Sequence, residues 1–255
     1  MRIATWNVNS LRARHGLVLD WLKREAPDVL CMQETKVPDP DFPIEPFQAL
    51  GYSVAMAGQK TYNGVAILSR LPTSDVRIGL LGEQAADDKR AISLQVSGVR
   101  VYCVYVPNGK SVDSPSFVSK LGWLDRLRAT LDAEASPDDP VVVCGDFNIA
   151  PEARDVHDPV ALAGQIHFHP EEHRALERLK AFGLRDALRL HDELPQNYTW
   201  WDYRAGAYRR NKGLRIDYLL LSEPMALRCR AVTTHAEERA REQPSDHVPV
   251  VATFE

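Results

Sequence analysis

The chain lacks most of the features that mark specialised protein classes. None of its apolar runs approaches the ~20 residues that a bilayer-spanning helix needs, so no membrane role is expected. Cysteine is scarce. The four residues Cys31, Cys103, Cys144 and Cys229 are far apart in sequence and no Cys-x-x-Cys pair occurs. A zinc site and a disulfide framework are both disfavoured, and buried free thiols in a reducing compartment are expected. No basic leader followed by an apolar stretch is present in MRIATWNVNS, so the expected location is the cytoplasm. Repeats, low-complexity tracts and Gly/Ser linkers are missing too, and one domain over residues 1–255 is expected. A large charge excess is also missing. The net charge of −4 rules out a basic coat for nucleic acid but leaves room for a local patch.

What remains is an average soluble composition, 44% hydrophobic and 26% charged, long enough to bury a substantial core. Short β-rich runs alternate with helical ones. RIATWNVN, DVLCMQE, YSVAMAG, GVAILSR, AISLQVSG, VRVYCVYVP, VVVC, IDYLLLS and VPVVATFE read as strands, with Ser97-Gly98 as a hairpin turn. Val18, Trp21 and Leu22 mark a helix over 14–25 that Pro27 stops. Phe117, Leu121, Leu124, Leu127 and Leu131 mark another over 116–135, and Pro170 starts a third that ends near Gly183. The pattern predicts a mixed α/β fold.

Polar residues fall where these strands end. Asn7 follows RIATW, and Glu34 follows DVLCMQ. Tyr105 closes VRVYCV, with Asn108 just beyond. Asp146 and Asn148 follow VVVC, Asp217 opens an apolar run, and Asp246-His247 precede VPVVATF. Taken singly these are ordinary. Asp146 and Asn148 are good turn formers, Glu34 reads as an exposed acid before Lys36, and a lone histidine is more often structural. Six distant segments behaving alike predict one site assembled on a sheet rim. On an alternating strand, Asp146 and Asn148 also project to one side.

These residue types suit phosphodiester hydrolysis with a hard cation. Magnesium takes oxygen ligands, usually one or two carboxylates with water and phosphate. Glu34 can supply one, and Asn7 can add a carbonyl oxygen or hold the metal's water. Asp146 or His247 can act as base toward water. Asp217 can orient His247 and favour its charged form, to neutralise charge gathering on the phosphate. Tyr105 and Asn108 can donate further hydrogen bonds.

WNVNSLRAR, LCMQETKV, VYVPNG, CGDFNIAP, TWWDYR, GLRIDYLLLS and PSDHVPV occur in this order over nearly the whole chain. Together they resemble the exodeoxyribonuclease III family of abasic-site DNA repair endonucleases, bacterial type, within the wider endonuclease/exonuclease/phosphatase superfamily. The resemblance implies a DNase I-like four-layered α/β sandwich, with two mostly antiparallel sheets packed face to face and helices outside. It implies a Mg²⁺-dependent enzyme, with Mn²⁺ able to stand in, that acts on duplex DNA near the nucleoid. It would cut 5′ to abasic sites to leave a 3′-hydroxyl, and would carry 3′→5′ exonuclease and 3′-phosphatase or phosphodiesterase activity on blocked ends. Family members usually act as monomers. By the same resemblance, Glu34, Asn7 and Asp246 lie at the metal, and Tyr105, Asp146, Asn148, Asp217 and His247 are catalytic. Trp200, Leu214 and Ile216 line a pocket for the flipped-out abasic sugar. Tyr62, Arg90 and Asn108 match DNA-contact positions. Asn9 stands where some members carry Asp, and Leu214 where some carry Trp.

The segment from Tyr203 to Ile216 holds Arg204, Arg209, Arg210, Lys212 and Arg215 and no acid. It reads as a phosphate-gripping insert, with binding that falls steeply with salt. Two rival readings have different chemistry. One is a phosphoesterase of the same fold with a non-DNA substrate, against which GLRIDYLLL argues, since the phosphatases carry a Trp-Cys-Asp-Arg type motif there. The other is a non-catalytic DNA-binding relative, against which the filled catalytic positions argue.

Overall fold

The computed structural model describes residues 1–84 and 86–255, and twelve strands form two six-stranded sheets among them. The first sheet contains β1 (Arg2–Asn7), β2 (Val29–Gln33), β3 (Ser53–Ala57), β4 (Val65–Ser69), β11 (Cys229–Thr234) and β12 (Val250–Phe254), in the order β11-β12-β1-β2-β4-β3. The second contains β5 (Thr73–Ile78), β6 (Ala91–Val96), β7 (Val99–Tyr105), β8 (Val141–Asp146), β9 (Arg185–Asp186) and β10 (Asp217–Leu221), in the order β5-β6-β7-β8-β10-β9. Each sheet has one parallel pair, β1/β2 and β7/β8, and is otherwise antiparallel. Read from β11 and from β5, the two sheets therefore repeat one pairing pattern.

Parallel neighbours need a crossover, and helices provide both. The helix α1 (Leu11–Glu25) joins β1 to β2, while α2 (Ile44–Gln48) lies before β3. In the second half, α3 (Pro115–Glu134) joins β7 to β8. Ser114 caps it by accepting the Phe117 N–H, and Pro115 occupies its first turn, where a missing donor costs nothing. The short α4 (Pro159–Leu162) precedes α5 (Pro170–Lys180), and α6 (Glu223–Arg228) follows β10.

The central core lies between the sheets, where Ile3, Cys31 and Ile67 meet Leu94, Cys103, Val142 and Cys144. Trp6, Leu30 and Met32 on the outer face of the first sheet meet Val18, Trp21 and Leu22 of α1 and Phe47 of α2. Val141, Val143 and Tyr218 on the outer face of the second meet Leu124, Leu127, Leu131, Leu176 and Leu179 of α3 and α5. Four layers result, helix–sheet–sheet–helix, as the resemblance implies. Strands β2 and β8 are covered on both faces, which explains their unbroken apolar runs. All four cysteines are free and buried.

Three strands are invisible in the sequence pattern. β5 is an exposed edge strand with a bulge, β9 has two residues, and β11 is a largely exposed edge strand. The hairpin turn is as expected: Ser97 and Gly98 both have positive φ, at 49° and 76°, and join the Val96–Val99 pair. Helix α1 begins three residues before the expected start.

Candidate active site

The topology collects the strand ends. β1, β2, β7 and β8 run out at one rim, and the antiparallel β10 and β12 start there. Register makes this concrete: Asp146 pairs across from Tyr105 on one side and Asp217 on the other. The rigid sheet behind these residues holds them in place.

Asp146 is the hub. Its carboxylate, 1% exposed, accepts the Asn7 Nδ2–H at 2.9 Å, the Asn148 backbone N–H at 2.8 Å and the Asn148 Nδ2–H at 3.3 Å. The strand itself ends at Asp146, and Asn148 has φ 52°, so a turn rather than strand alternation brings the pair together. Asn148 also donates Nδ2–H to Val106 O and accepts the Asn108 Nδ2–H at 3.1 Å. Burial, aided by the Asp217 charge and opposed by His247, raises the Asp146 pKa to about 7.

His247 and Asp217 form a buried pair. His247 Nδ1 lies 2.8 and 3.1 Å from the two Asp217 oxygens, and its Nε2 lies 3.7 Å from Asp146. Burial alone would lower the histidine pKa, but the Asp217 and Asp146 carboxylates together raise it to about 10. Thr199, within the TWWDYR stretch, was not singled out by the sequence pattern. Its hydroxyl donates to Asp217 Oδ2 at 2.7 Å and accepts the N–H groups of Ile216 and Asp217.

Glu34 meets this pair from the first sheet. One oxygen accepts a second bond from Asn7 Nδ2, at 2.9 Å, and the other lies 2.9 Å from Lys36 Nζ. Burial would raise its pKa; Lys36 and Asn7 override that and hold it below the usual carboxylate range. Ligand atoms of Glu34, Asp146 and His247 lie within 4.8 Å of one another, the one such group among the described residues. Two carboxylates converging on one amide fit an oxygen-preferring divalent cation. Asn7 presents its N–H side to both acids, while its Oδ1 accepts the Asn9 N–H. Asp246 is held to one side, accepting Trp200 Nε1–H at 3.0 Å and Asn9 Nδ2–H at 2.9 Å. Asn9 in turn accepts from Lys36 at 2.6 Å.

Around this centre lies a cleft of about 630 Å³ lined by Glu34, Tyr62, Arg90, Tyr105, Asn108 and Lys110, among others. Arg90 sits over the Tyr105 ring at 4.7 Å, and Tyr62 is 68% exposed. Burial and the facing Glu34 and Asp146 charges raise the Tyr105 hydroxyl pKa, so it stays a donor. On the other flank, Trp200 packs against buried Leu214, Ile216, Val156 and Ala150. His167, which sequence reasoning passed over, stands beside Trp200 with ring centroids 6.4 Å apart. Its Nδ1–H donates to Asn148 O at 2.7 Å, and its Nε2 lies 3.4 Å from Asn108 Nδ2. Burial and Lys120 push its pKa down to about 3, so it is neutral.

The basic segment needs one correction. Arg209, Arg210 and Lys212 are exposed, but Arg215 is 1% exposed and bonded to Asp155 and Asp186. It braces the core and does not face DNA. Arg204 pairs with Asp202, just before the segment.

A model of the endonuclease/exonuclease/phosphatase family matches residues 4–247. The exodeoxyribonuclease III of Haemophilus influenzae is 34% identical over 266 residues, covering all of both chains. Among solved structures, an AP endonuclease from Archaeoglobus fulgidus is 41% identical with TM-score 0.94, covering 100% of this chain and 99% of that one. The 3′ phosphatase NExo from Neisseria, bound to a product DNA hairpin, is 41% identical with TM-score 0.95 and the same coverage. The family match and the full-length relatives agree, and the chain belongs to the endonuclease/exonuclease/phosphatase family, as an enzyme on its exodeoxyribonuclease III branch.

Proposed function

We propose that the chain is a divalent-cation-dependent DNA repair hydrolase working as one monomeric domain in the cytoplasm, beside the nucleoid. It cuts duplex DNA 5′ to abasic sites, leaving a 3′-hydroxyl, and removes nucleotides or phosphates from 3′ ends. The observation that carries this reading is the convergence of Asp146, His247 and Glu34 at one rim. Glu34 would hold Mg²⁺, or Mn²⁺ in its place, with Asn7 and Asp246 near it and Asp146 beside it, left free to act on water. The bound cation supplies charge neutralisation at the phosphate oxygens.

Asp146 takes a proton from water, its carboxylate aimed by the turn at the strand end. Asn148 fixes its carboxylate through two N–H bonds. The water oxygen bonds to phosphorus as the bond to the 3′-oxygen breaks, and that oxygen takes a proton from solvent to leave as the 3′-hydroxyl. His247, charged and held by Asp217, offers Nε2 to the phosphate, and Tyr105 and Asn108 donate to it. Arg209, Arg210 and Lys212 grip backbone phosphates, Tyr62 and Arg90 flank the strand, and Trp200, Leu214 and Ile216 receive the abasic sugar.

One observation favours a narrower reading. His167 occupies space beside Trp200, at the flank where the abasic sugar would enter, and the Neisseria structure is of a 3′ phosphatase. On that reading, 3′-end processing dominates over internal incision. A panel with Mg²⁺ separates the two, using a duplex with one internal abasic analogue, a 3′-phosphate duplex and a 3′-recessed duplex. Incision comparable to end processing supports the broad reading. End processing without incision supports the narrow one, and no turnover of any arm refutes both.

A further inference from the structure

Behind the catalytic asparagines lies a buried ion pair with no part in the chemistry above. Lys120, on the inner face of α3, and Glu172, in the first turn of α5, are both 0% exposed and bonded to each other. A buried lone ammonium is costly, and an ammonium has three donors to place. Here the other two go to backbone carbonyls: Asn148 O at 2.7 Å and Asn108 O at 3.2 Å. These carbonyls belong to the two residues whose side-chain amides meet at the site, Asn108 Nδ2 donating to Asn148 Oδ1.

The surroundings fit a fixed anchor. Asn148 has a left-handed backbone, φ 52°, which turns its carbonyl away from the ladder, where it accepts from both Lys120 Nζ and His167 Nδ1. Gly109 has φ 88° and sits against the lysine stem, where a Cβ would come within 3.1 Å of Lys120 Cδ. Glu172 is itself fixed, accepting the His169 N–H at 3.0 Å in a capping box. One charged group thus ties together α3, α5 and the loops leaving β7 and β8.

We infer that Lys120, neutralised by Glu172, is a positioning residue that sets the Asn108 and Asn148 amides, and through Asn148 the Asp146 carboxylate. This rests on the proposed roles of Asp146 and Asn148. Replacing a buried ion pair by apolar residues of similar volume commonly leaves stability equal or higher. The double variant K120M/E172M therefore separates positioning from folding.

The experiment measures single-turnover cleavage and KM on whichever DNA substrate the wild-type enzyme turns over, together with the thermal midpoint. We expect a rate loss of roughly tenfold or more with KM within about threefold, in a variant that still unfolds cooperatively at a midpoint well above the assay temperature. In an N148A background, the same double change should cost less than about threefold more, because its route through Asn148 is already gone. K120M/E172Q, which retains an acceptor for the His169 N–H, is measured the same way in case the first variant folds poorly. An unchanged rate in a folded variant, or a loss that multiplies fully with N148A, overturns the inference. Inactive wild-type enzyme would instead refute the proposed function itself.

Discussion

Replacing Asp217 with asparagine tests the electrostatics of the site. The amide retains the shape of the carboxylate and can still accept from Thr199. With its oxygen kept at the Oδ2 position to accept from Thr199, its nitrogen takes the Oδ1 position, 3.1 Å from His247 Nδ1 in the parent. The charge that most raises His247 is lost, so its pKa falls from about 10; burial pushes it further down, while the Asp146 carboxylate still holds it up. A fall all the way to the ordinary 6.5 would take the protonated fraction at about pH 8 from nearly all to roughly 1 in 30. If charged His247 stabilises the phosphate, the single-turnover rate of D217N relative to the parent falls by up to ~30-fold near pH 8 and recovers to within several-fold of the parent near pH ~6. The assay is a pair of pH–rate profiles at saturating metal. A D217N profile parallel to the parent, with the same deficit at every pH, refutes the reasoning. Stability follows the same sign. The folded-state pKa exceeds the unfolded one, so the pair's contribution is fully present below 6.5 and lost as pH rises through about 10.

Other consequences concern binding and folding. Removing Arg209, Arg210 and Lys212 together should lower the slope of log affinity against log salt by up to about 0.9 per lost phosphate contact, leaving the rate at saturating DNA within about threefold. A salt titration of duplex binding checks this. Arg215→Met takes the buried arginine from Asp186 and leaves Asp155 with Arg189 alone, and should destabilise the fold by up to ~3–5 kcal/mol in urea denaturation, without changing the salt slope. Thr199→Val removes a donor to Asp217 and an acceptor for two backbone N–H groups, so it should cost about 1–3 kcal/mol of stability by the same method.

Much of the site could be read in the sequence because a sheet presents its functional groups at strand ends, and strand ends are visible as breaks in apolar runs. Asn7, Glu34, Tyr105, Asp146, Asp217 and His247 stand out this way. Residues acting from behind the rim do not. Lys120 sits on a helix whose spacing points to Leu121 as the inward residue, yet Lys120 is 0% exposed and Leu121 only partly buried. Arg215 looks like one more cation in a basic run, because composition carries no direction and its partners Asp155 and Asp186 are far away in sequence. His167 lies in a loop without periodicity, so only the three-dimensional placement beside Trp200 marks it. Edge strands β5 and β11 expose most of their residues and so lack the apolar pattern that identifies β2 or β8.

The central claim is that Asp146, beside a divalent cation, activates water toward a DNA phosphodiester or phosphomonoester. Its most direct test compares wild-type enzyme and D146N on the abasic-analogue and 3′-phosphate duplexes, each with Mg²⁺ and with EDTA. The account predicts turnover with Mg²⁺ that leaves 3′-hydroxyl ends, none with EDTA, and a loss on the order of 10³-fold or more in D146N with DNA binding retained. Near-normal Mg²⁺-dependent cleavage by D146N, or equal wild-type cleavage in EDTA, would contradict it.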